Sequence, residues 1–123
     1  MQMIDMLAEQ IARETVVGAD EYQCLKTVLA ITRHGVESVS LRLSQEKWLS
    51  LGIHMISMIR RIQQGQSLPP IEQVIAEQLN HEALCLSKQV LAEINRTIGG
   101  RADEAEEILL AIHFQAARES DCS

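Results

Sequence analysis

Hydrophobic residues recur every three or four positions along most of the chain, a spacing typical of helices that bury one face. The pattern predicts a first helix over residues 2–14 and a second from about residue 20 to residue 33, closed by Gly35 as a left-handed cap. Residues 36–43 alternate apolar and polar side chains, and we interpret them as an extended connection because one isolated strand would have no partner. The residues predicted to face inward here are Met3, Leu7, Ile11, Tyr22, Leu25, Val28, Leu29 and Thr32.

A third long helix is predicted after Ser44, which is a favourable N-cap residue. It extends to about residue 64 and stops at Gly65. Two prolines mark residues 66–70 as a linker, because proline cannot occupy a helix interior. A short helix follows over about residues 71–79. The inward positions of the long helix are Trp48, Leu51, Met55, Met58, Ile59 and Ile62.

Two more helices are predicted in the last third of the chain. Asn80–His81 marks a turn, and the helix after it extends to about Ile98, where two glycines end it. Asp103 is expected to cap the last helix, with Glu106 as its capping-box partner. The tail from Arg118 to Ser123 is expected to fray. The positions expected to face inward are Leu84, Val90, Leu91, Ile94, Ile108, Leu109, Ile112 and Ala116.

Composition supports an all-α fold, a compact bundle of about five helices. The chain has 123 residues, 46% of them hydrophobic, which suits one domain over residues 1–123. Tyr22, Trp48 and Phe114 are its aromatic residues, so aliphatic side chains and methionine must fill the core. Strands usually favour aromatic and β-branched residues instead.

Charge and patterning exclude several classes of function. Lys and Arg number 11 against 17 Asp and Glu, which gives 11 − 17 = −6, and Arg60–Arg61 is the single adjacent basic pair. Direct nucleic-acid binding is therefore not expected, because it needs a basic surface. No apolar run approaches the length of a membrane span, and the N-terminus lacks the basic start of a secretion signal. We expect a cytoplasmic protein that contacts no membrane.

Signatures of enzymes and metal sites are also missing. The sequence has no glycine-rich phosphate loop, no zinc-binding His pair and no nucleophile elbow. Cys24, Cys85 and Cys122 are widely spaced, so we expect two small buried side chains and an exposed thiol at Cys122 rather than a disulfide or metal site. A small enzyme using His and Glu as acid and base would need a cleft that the sequence does not indicate. We expect no cofactor, no metal, no catalytic residue and no enzymatic activity.

The histidines fall into two groups. His34 and His81 lie at predicted helix boundaries, where histidine is an ordinary residue. His54 and His113 each interrupt an apolar stretch in mid-helix, where a buried imidazole costs free energy unless it is satisfied. A hydrogen-bonded core role and a functional role are both open at this point. Three carboxylates of the last helix are interpreted as part of a solvated face: Glu104, Glu106 and Glu107.

Three passages between Ser44 and Arg118 resemble one family. The first is the helix with His54, followed by Arg61 seven residues later and by Gln64–Gly65. The second is the stretch ALCLSKQVLAEINRTIG, and the third is EEILLAIHF around His113. Their order and separation are similar to the phosphotransferase-system regulation domain, or PRD, of bacterial transcription antiterminators and activators. Residues 1–43 match more loosely, as its first helices.

The resemblance implies a small helical bundle that forms a homodimer. It implies phosphorylation of two histidines, which map onto His113 and His54, by the histidine phosphocarrier protein or a sugar-permease component of the bacterial sugar phosphotransferase system. A phosphoryl group adds about −1.5 to −2 charges and can recruit an arginine. Arg61 lies two turns from His54 on the same helix face and is a candidate for that contact, and equally a plain surface cation.

Two features leave a second hypothesis open. The family commonly has Asp directly before its first histidine, whereas this chain has Ile53, which cannot accept the ring N–H. The chain is about one PRD long, and residues 1–43 resemble no RNA-binding or helix-turn-helix segment, so any effect on transcription is expected to pass through self-association or a regulator protein partner. The alternative is a degenerate PRD that serves as a dimeric interaction module without phosphorylation. Met55 and Met58 are interpreted either as part of a contact surface or as ordinary core.

Overall fold

Six α-helices form the regular structure of residues 2–122, which are the part of the chain that the computed structural model describes, with side chains for residues 3–119. This range contains no strand, and the prediction of an all-α fold is confirmed. The short helix expected over about residues 71–79 is the five-residue α4, and with it the described bundle has six helices, not about five. The helices are α1 Gln2–Glu14, α2 Ala19–Ser38, α3 Gln45–Gln64, α4 Gln73–Glu77, α5 His81–Ile98 and α6 Glu104–Cys122.

One hydrophobic core is shared by the five longer helices, while α4 buries none of its residues. The predicted stripe of α3 is confirmed for Trp48, Leu51 and Ile59, whereas Ile62 is half-buried. Met55 and Met58 are fully buried, so they belong to the core, and the interpretation as a contact surface is wrong. Burying side chains of this size is worth about 1.5–3 kcal/mol each, so the buried face of α3 contributes substantially to the stability of the bundle.

Several predicted helix ends are confirmed. The Ser44 hydroxyl accepts a hydrogen bond from the Lys47 backbone N–H at 3.2 Å, and this N-cap fixes the start of α3. The Asn80 side chain accepts one from the Ala83 N–H at 2.8 Å and caps α5 in the same way. Gly65 ends α3 with φ 67° and Gly99 ends α5 with φ 72°, a left-handed conformation that favours glycine.

The predicted end of α2 at Gly35 is wrong. The helix continues to Ser38, and Gly35 is an interior residue rather than a left-handed cap. A Cβ atom at Gly35 would lie 2.6 Å from Cγ2 of Val90 on α5. The glycine therefore allows α2 and α5 to approach closely, and it does not end the helix.

The inward face of α6 also differs from the prediction. Leu110, Phe114 and Ala117 are buried, whereas Ile112 is 37% exposed. Residues 108–117 of α6 are apolar on nearly every side, so the spacing of hydrophobic residues in this stretch does not indicate which face is buried. The helix also extends to Cys122, across most of the tail that was expected to fray.

The prediction that Cys24 and Cys85 are buried overestimates their burial. Cys24 and Cys85 are free thiols that are only partly buried. The side chain of Cys122, predicted to be an exposed thiol, lies outside the described residues.

The edge of α3 is tied to the start of α2 by an ion pair. Arg60 donates to the Glu21 carboxylate at 2.8 and 3.2 Å, and it also hydrogen-bonds the carbonyl of Val16. Glu21 in turn accepts from the Gly18 N–H. No helix within residues 2–122 is long and apolar enough to cross a membrane.

Candidate functional site

His54 of α3 and His113 of α6 face each other across the contact between the two helices. Their ring centroids are 5.1 Å apart and the ring planes meet at 40°. The His54 side chain is 12% exposed, and His113 is half-buried. The structure thus brings together the two histidines that the sequence singled out, which are 59 positions apart.

Beside the ring of His54, Arg61 and Glu106 form a buried ion pair. Nε of Arg61 donates to Oε2 of Glu106 at 2.7 Å, and Nη2 donates to Oε1 at 2.9 Å. Two parallel N–H···O bonds of this kind hold a carboxylate in one orientation. Oε1 lies 4.0 Å from Nε2 of His54, and Nε2 is buried without a hydrogen-bond partner.

These contacts show that the two helices are antiparallel. Increasing residue numbers on α3, from His54 to Arg61, meet decreasing numbers on α6, from His113 to Glu106. We call this set of facing side chains the histidine seam. Lys47 belongs to its other end, since it lies two turns before His54 on α3 and its ammonium charge acts on His113.

Both imidazoles are less basic than usual. Burial lowers the pKa of His54 from 6.5 to about 4, and the charges of His113 and Arg61 act in the same direction. Burial also lowers the pKa of His113, with a further contribution from the Lys47 ammonium. The rings are therefore neutral at pH 7, and a neutral imidazole has a nitrogen lone pair available for attack on an electrophile.

Glu106 and Lys47 are the site residues that sequence reasoning missed. The interpretation of Glu106 as a solvated or capping-box residue is wrong, because its side chain is 4% exposed and bound to Arg61. The reading of Arg61 as a plain surface cation is wrong for the same reason. Seven-residue spacings, Lys47–His54–Arg61 and Glu106–His113, were the available signal, since seven residues are two helical turns.

The remaining predicted residues lie elsewhere. His34 is exposed on α2, and His81 is exposed at the start of α5, with its Nε2 3.3 Å from Sγ of Cys85. Ile53 is 39% exposed next to His54, as Ile112 is next to His113. Among the side chains of residues 3–119, no group of three or more His, Cys, Asp or Glu could hold a metal ion.

Comparison with family models decides the family. The model of the PRD domain matches residues 29–117, which include both histidines and the Arg61–Glu106 pair. The chain belongs to the PRD domain family. This match extends the resemblance noted in the sequence back to residue 29, in the middle of α2.

The PRD fold is also found among solved structures. A crystal structure of a PRD-containing transcription regulator from Lactobacillus casei superposes with a TM-score of 0.76, at 22% sequence identity and over 92% of each chain. At this identity the similarity establishes the fold. A search of curated proteins finds no match.

Proposed function

We propose that this PRD is a non-catalytic regulatory module of transcription that the bacterial sugar phosphotransferase system phosphorylates on histidine. His113 is the proposed phosphoacceptor, and His54 is a second candidate. The module acts through self-association or a regulator protein partner. This proposal carries over to the chain the transcriptional role that the similar Lactobacillus casei regulator has by name.

One observation supports the proposal most strongly. In a chain of the PRD family, two neutral imidazoles face each other at 5.1 Å on different helices. A phosphoryl group placed between them would put about −1.5 to −2 charges into the contact between α3 and α6. Such a change favours a different packing of the two helices, which is how a local modification shifts a two-state equilibrium.

The proposed partners rest on membership of the PRD family. The phosphoryl donor is the histidine phosphocarrier protein or a sugar-permease component, and the functional unit is a homodimer in the cytoplasm. With a net charge of −6, made more negative by each phosphoryl group, the module is not expected to bind DNA or RNA directly. Its proposed effect on transcription therefore passes through self-association or a regulator protein partner.

Incubation with phosphoenolpyruvate and the general phosphotransferase proteins tests the proposal. We expect acid-labile phosphate on the wild-type chain and loss of the label in His113→Ala. His81→Ala is the matched control, because His81 is exposed and distant in sequence from the seam, and its label should equal that of the wild type. An unlabelled wild type, or an undiminished label in His113→Ala, would contradict phosphorylation at His113.

A second candidate function is a dimeric interaction module that is never phosphorylated. It is favoured by the apolar residues Ile53 and Ile112, which are 39% and 37% exposed directly before the two histidines. On this hypothesis the Ile53→Asp and Ile112→Asp variants lose self-association, measured by analytical ultracentrifugation, while phosphorylation assays stay negative. A phosphorylated wild type would rule it out.

A further inference from the structure

We propose that Glu106 decides which histidine of the seam carries the phosphoryl group, by excluding it from His54 and leaving it to His113. The inference rests on the proposed function in one respect, namely that the seam accepts a phosphoryl group. It assigns a specificity-determining role to a carboxylate that touches neither the donor nor the acceptor ring of the reaction.

The space around Nε2 of His54 is limited by the Glu106 carboxylate. Nε2 of His54 is buried, and the carboxylate oxygen Oε1 of Glu106 is 4.0 Å away. A phosphoryl group on Nε2 would need room for phosphorus and three acceptor oxygens in this neighbourhood. The Glu106 side chain is only 4% exposed, so it lies close to the ring and not out in solvent.

The ion pair with Arg61 holds the Glu106 carboxylate in its position. Arg61 holds both carboxylate oxygens, with N···O distances of 2.7 and 2.9 Å. A phosphoryl group on His54 would therefore have to break a bidentate pair in a poorly solvated place or accept contact with a second anion. The guanidinium N–H groups that face Glu106 are already used, so Arg61 cannot donate them to the incoming group as well.

Along its own helix, His113 lies farther from the Glu106 carboxylate than His54 does. Seven residues, about 10 Å of helix rise, separate it from Glu106 along α6. The charged group that acts on His113 is the ammonium of Lys47, a cation that stabilises a phosphoryl anion. A cation therefore acts on each ring, Arg61 on His54 and Lys47 on His113, whereas a carboxylate oxygen of Glu106 lies 4.0 Å from Nε2 of His54.

The reaction at His113 can be tested with phosphoramidate as a small donor. A ring nitrogen of neutral His113 uses its lone pair to form the N–P bond, and the P–N bond of phosphoramidate breaks. The proton released by the ring's other nitrogen leaves with the ammonia as ammonium. No oxidant or metal is needed, and the small donor removes any requirement for docking of a protein.

The experiment maps phosphohistidine by mass spectrometry after treatment with phosphoramidate. In the wild type we expect at least about tenfold more label on His113 than on His54. Glu106→Gln removes the charge and replaces one oxygen with an N–H donor, so the share on His54 should rise at least about tenfold. Glu21→Gln is the matched control, because it removes the carboxylate bound to the adjacent Arg60, and its labelling should match the wild type.

A second variant keeps the proposal testable if Glu106→Gln fails to fold. His113→Ala with Glu106 intact should leave His54 unlabelled. Comparable labelling of both histidines in the wild type, label on His54 in His113→Ala, or an unchanged ratio in folded Glu106→Gln would each overturn the inference.

The same samples separate this inference from the proposed function. If phosphoramidate labels His113 selectively while phosphoenolpyruvate with the phosphotransferase proteins labels nothing, the role of Glu106 stands and the proposed donor is wrong. If neither donor labels His113, the proposed function and the inference both fail.

Discussion

Two consecutive arginines of α3 bind carboxylates from two different helices, and their surroundings differ. Arg60 and Glu21 form their pair at the edge of α2, with side chains 33% and 22% exposed. Arg61 and Glu106 form theirs in the histidine seam, where the side chains are 20% and 4% exposed. The hydrogen bonding is nearly the same in the two pairs. They differ in burial and in their neighbours: Arg60–Glu21 ties two helices together, whereas Arg61–Glu106 lies beside the imidazole of His54 and contributes to the electrostatics of the site.

The largest expected difference between the two pairs is in stability. Glu106→Gln leaves the Arg61 charge partly buried without a counterion and should reduce the free energy of unfolding by about 3 kcal/mol. Glu21→Gln should cost clearly less, because water reaches both partners of that pair. Urea unfolding of both variants checks this, and equal losses would show that burial does not distinguish the pairs.

The dependence of stability on pH sharpens the comparison. The pKa of His54 falls from 6.5 to about 4 on folding, so the unfolded chain binds a proton first as the pH drops below 6.5. The stabilisation from neutral His54 is complete above pH 6.5 and is lost between pH 6.5 and 4. We expect a loss of about 2 kcal/mol between pH 7 and 4.5 that is missing in His54→Gln and unchanged in His34→Gln.

The contribution of the Arg60–Glu21 pair to stability should change in a different pH range. Hydrogen bonds from Arg60 lower the pKa of Glu21 below 4.5, so its contribution to stability is present above that value and is lost as the pH falls further. A plot of the free energy of unfolding against pH for Glu21→Gln should therefore differ in slope from that of the wild type below pH 4.5. From pH 5 to 7 the two plots should run parallel. A changed slope between pH 5 and 7 would contradict this separation.

Arginine-to-lysine exchanges probe the geometry of the two pairs. A lysine at position 61 cannot form two parallel bonds to one carboxylate, and Arg61→Lys should reduce the free energy of unfolding by about 1 kcal/mol. Arg60→Lys should have a smaller effect, since that pair is more exposed. Thermal unfolding of the two variants measures the difference, and a greater loss in Arg60→Lys would contradict it.

The smallest effect is expected at the opposite end of the seam. Lys47→Gln removes the cation near His113, so the pKa of His113 should rise toward its usual value, as followed by NMR titration. Phosphorylation of His113 should slow by about two- to fivefold, in keeping with one partly exposed charge interaction. An unchanged His113 pKa would show that Lys47 does not act on this ring.

Local sequence features were sufficient to predict most of the bundle. The buried stripe of α3 follows from the spacing of Trp48, Leu51 and Ile59, and its ends follow from Ser44 and Gly65. These features depend on neighbours within a few positions in the sequence. The resemblance to PRDs selected His54 and His113 as phosphoacceptors, but neither it nor the periodicity predicted that the two rings face each other.

The errors concern residues whose roles are set by distant parts of the chain. Gly35 lies inside α2 where Val90 of α5 leaves no room for a side chain, and nothing within its own helix reveals that contact. Glu106 was interpreted as solvated because carboxylates on amphipathic helices usually form the solvated face, yet its partner Arg61 lies 45 positions earlier. Burial of a charge is decided by such a partner.

Intact-mass spectrometry at neutral pH tests the asymmetry of the seam most directly. After exhaustive incubation with phosphoenolpyruvate and the general phosphotransferase proteins, the wild-type chain should gain one phosphoryl group, and His113→Ala should gain none. Two phosphoryl groups on the wild-type chain, or one that persists in His113→Ala, would contradict a seam in which Glu106 reserves the modification for His113.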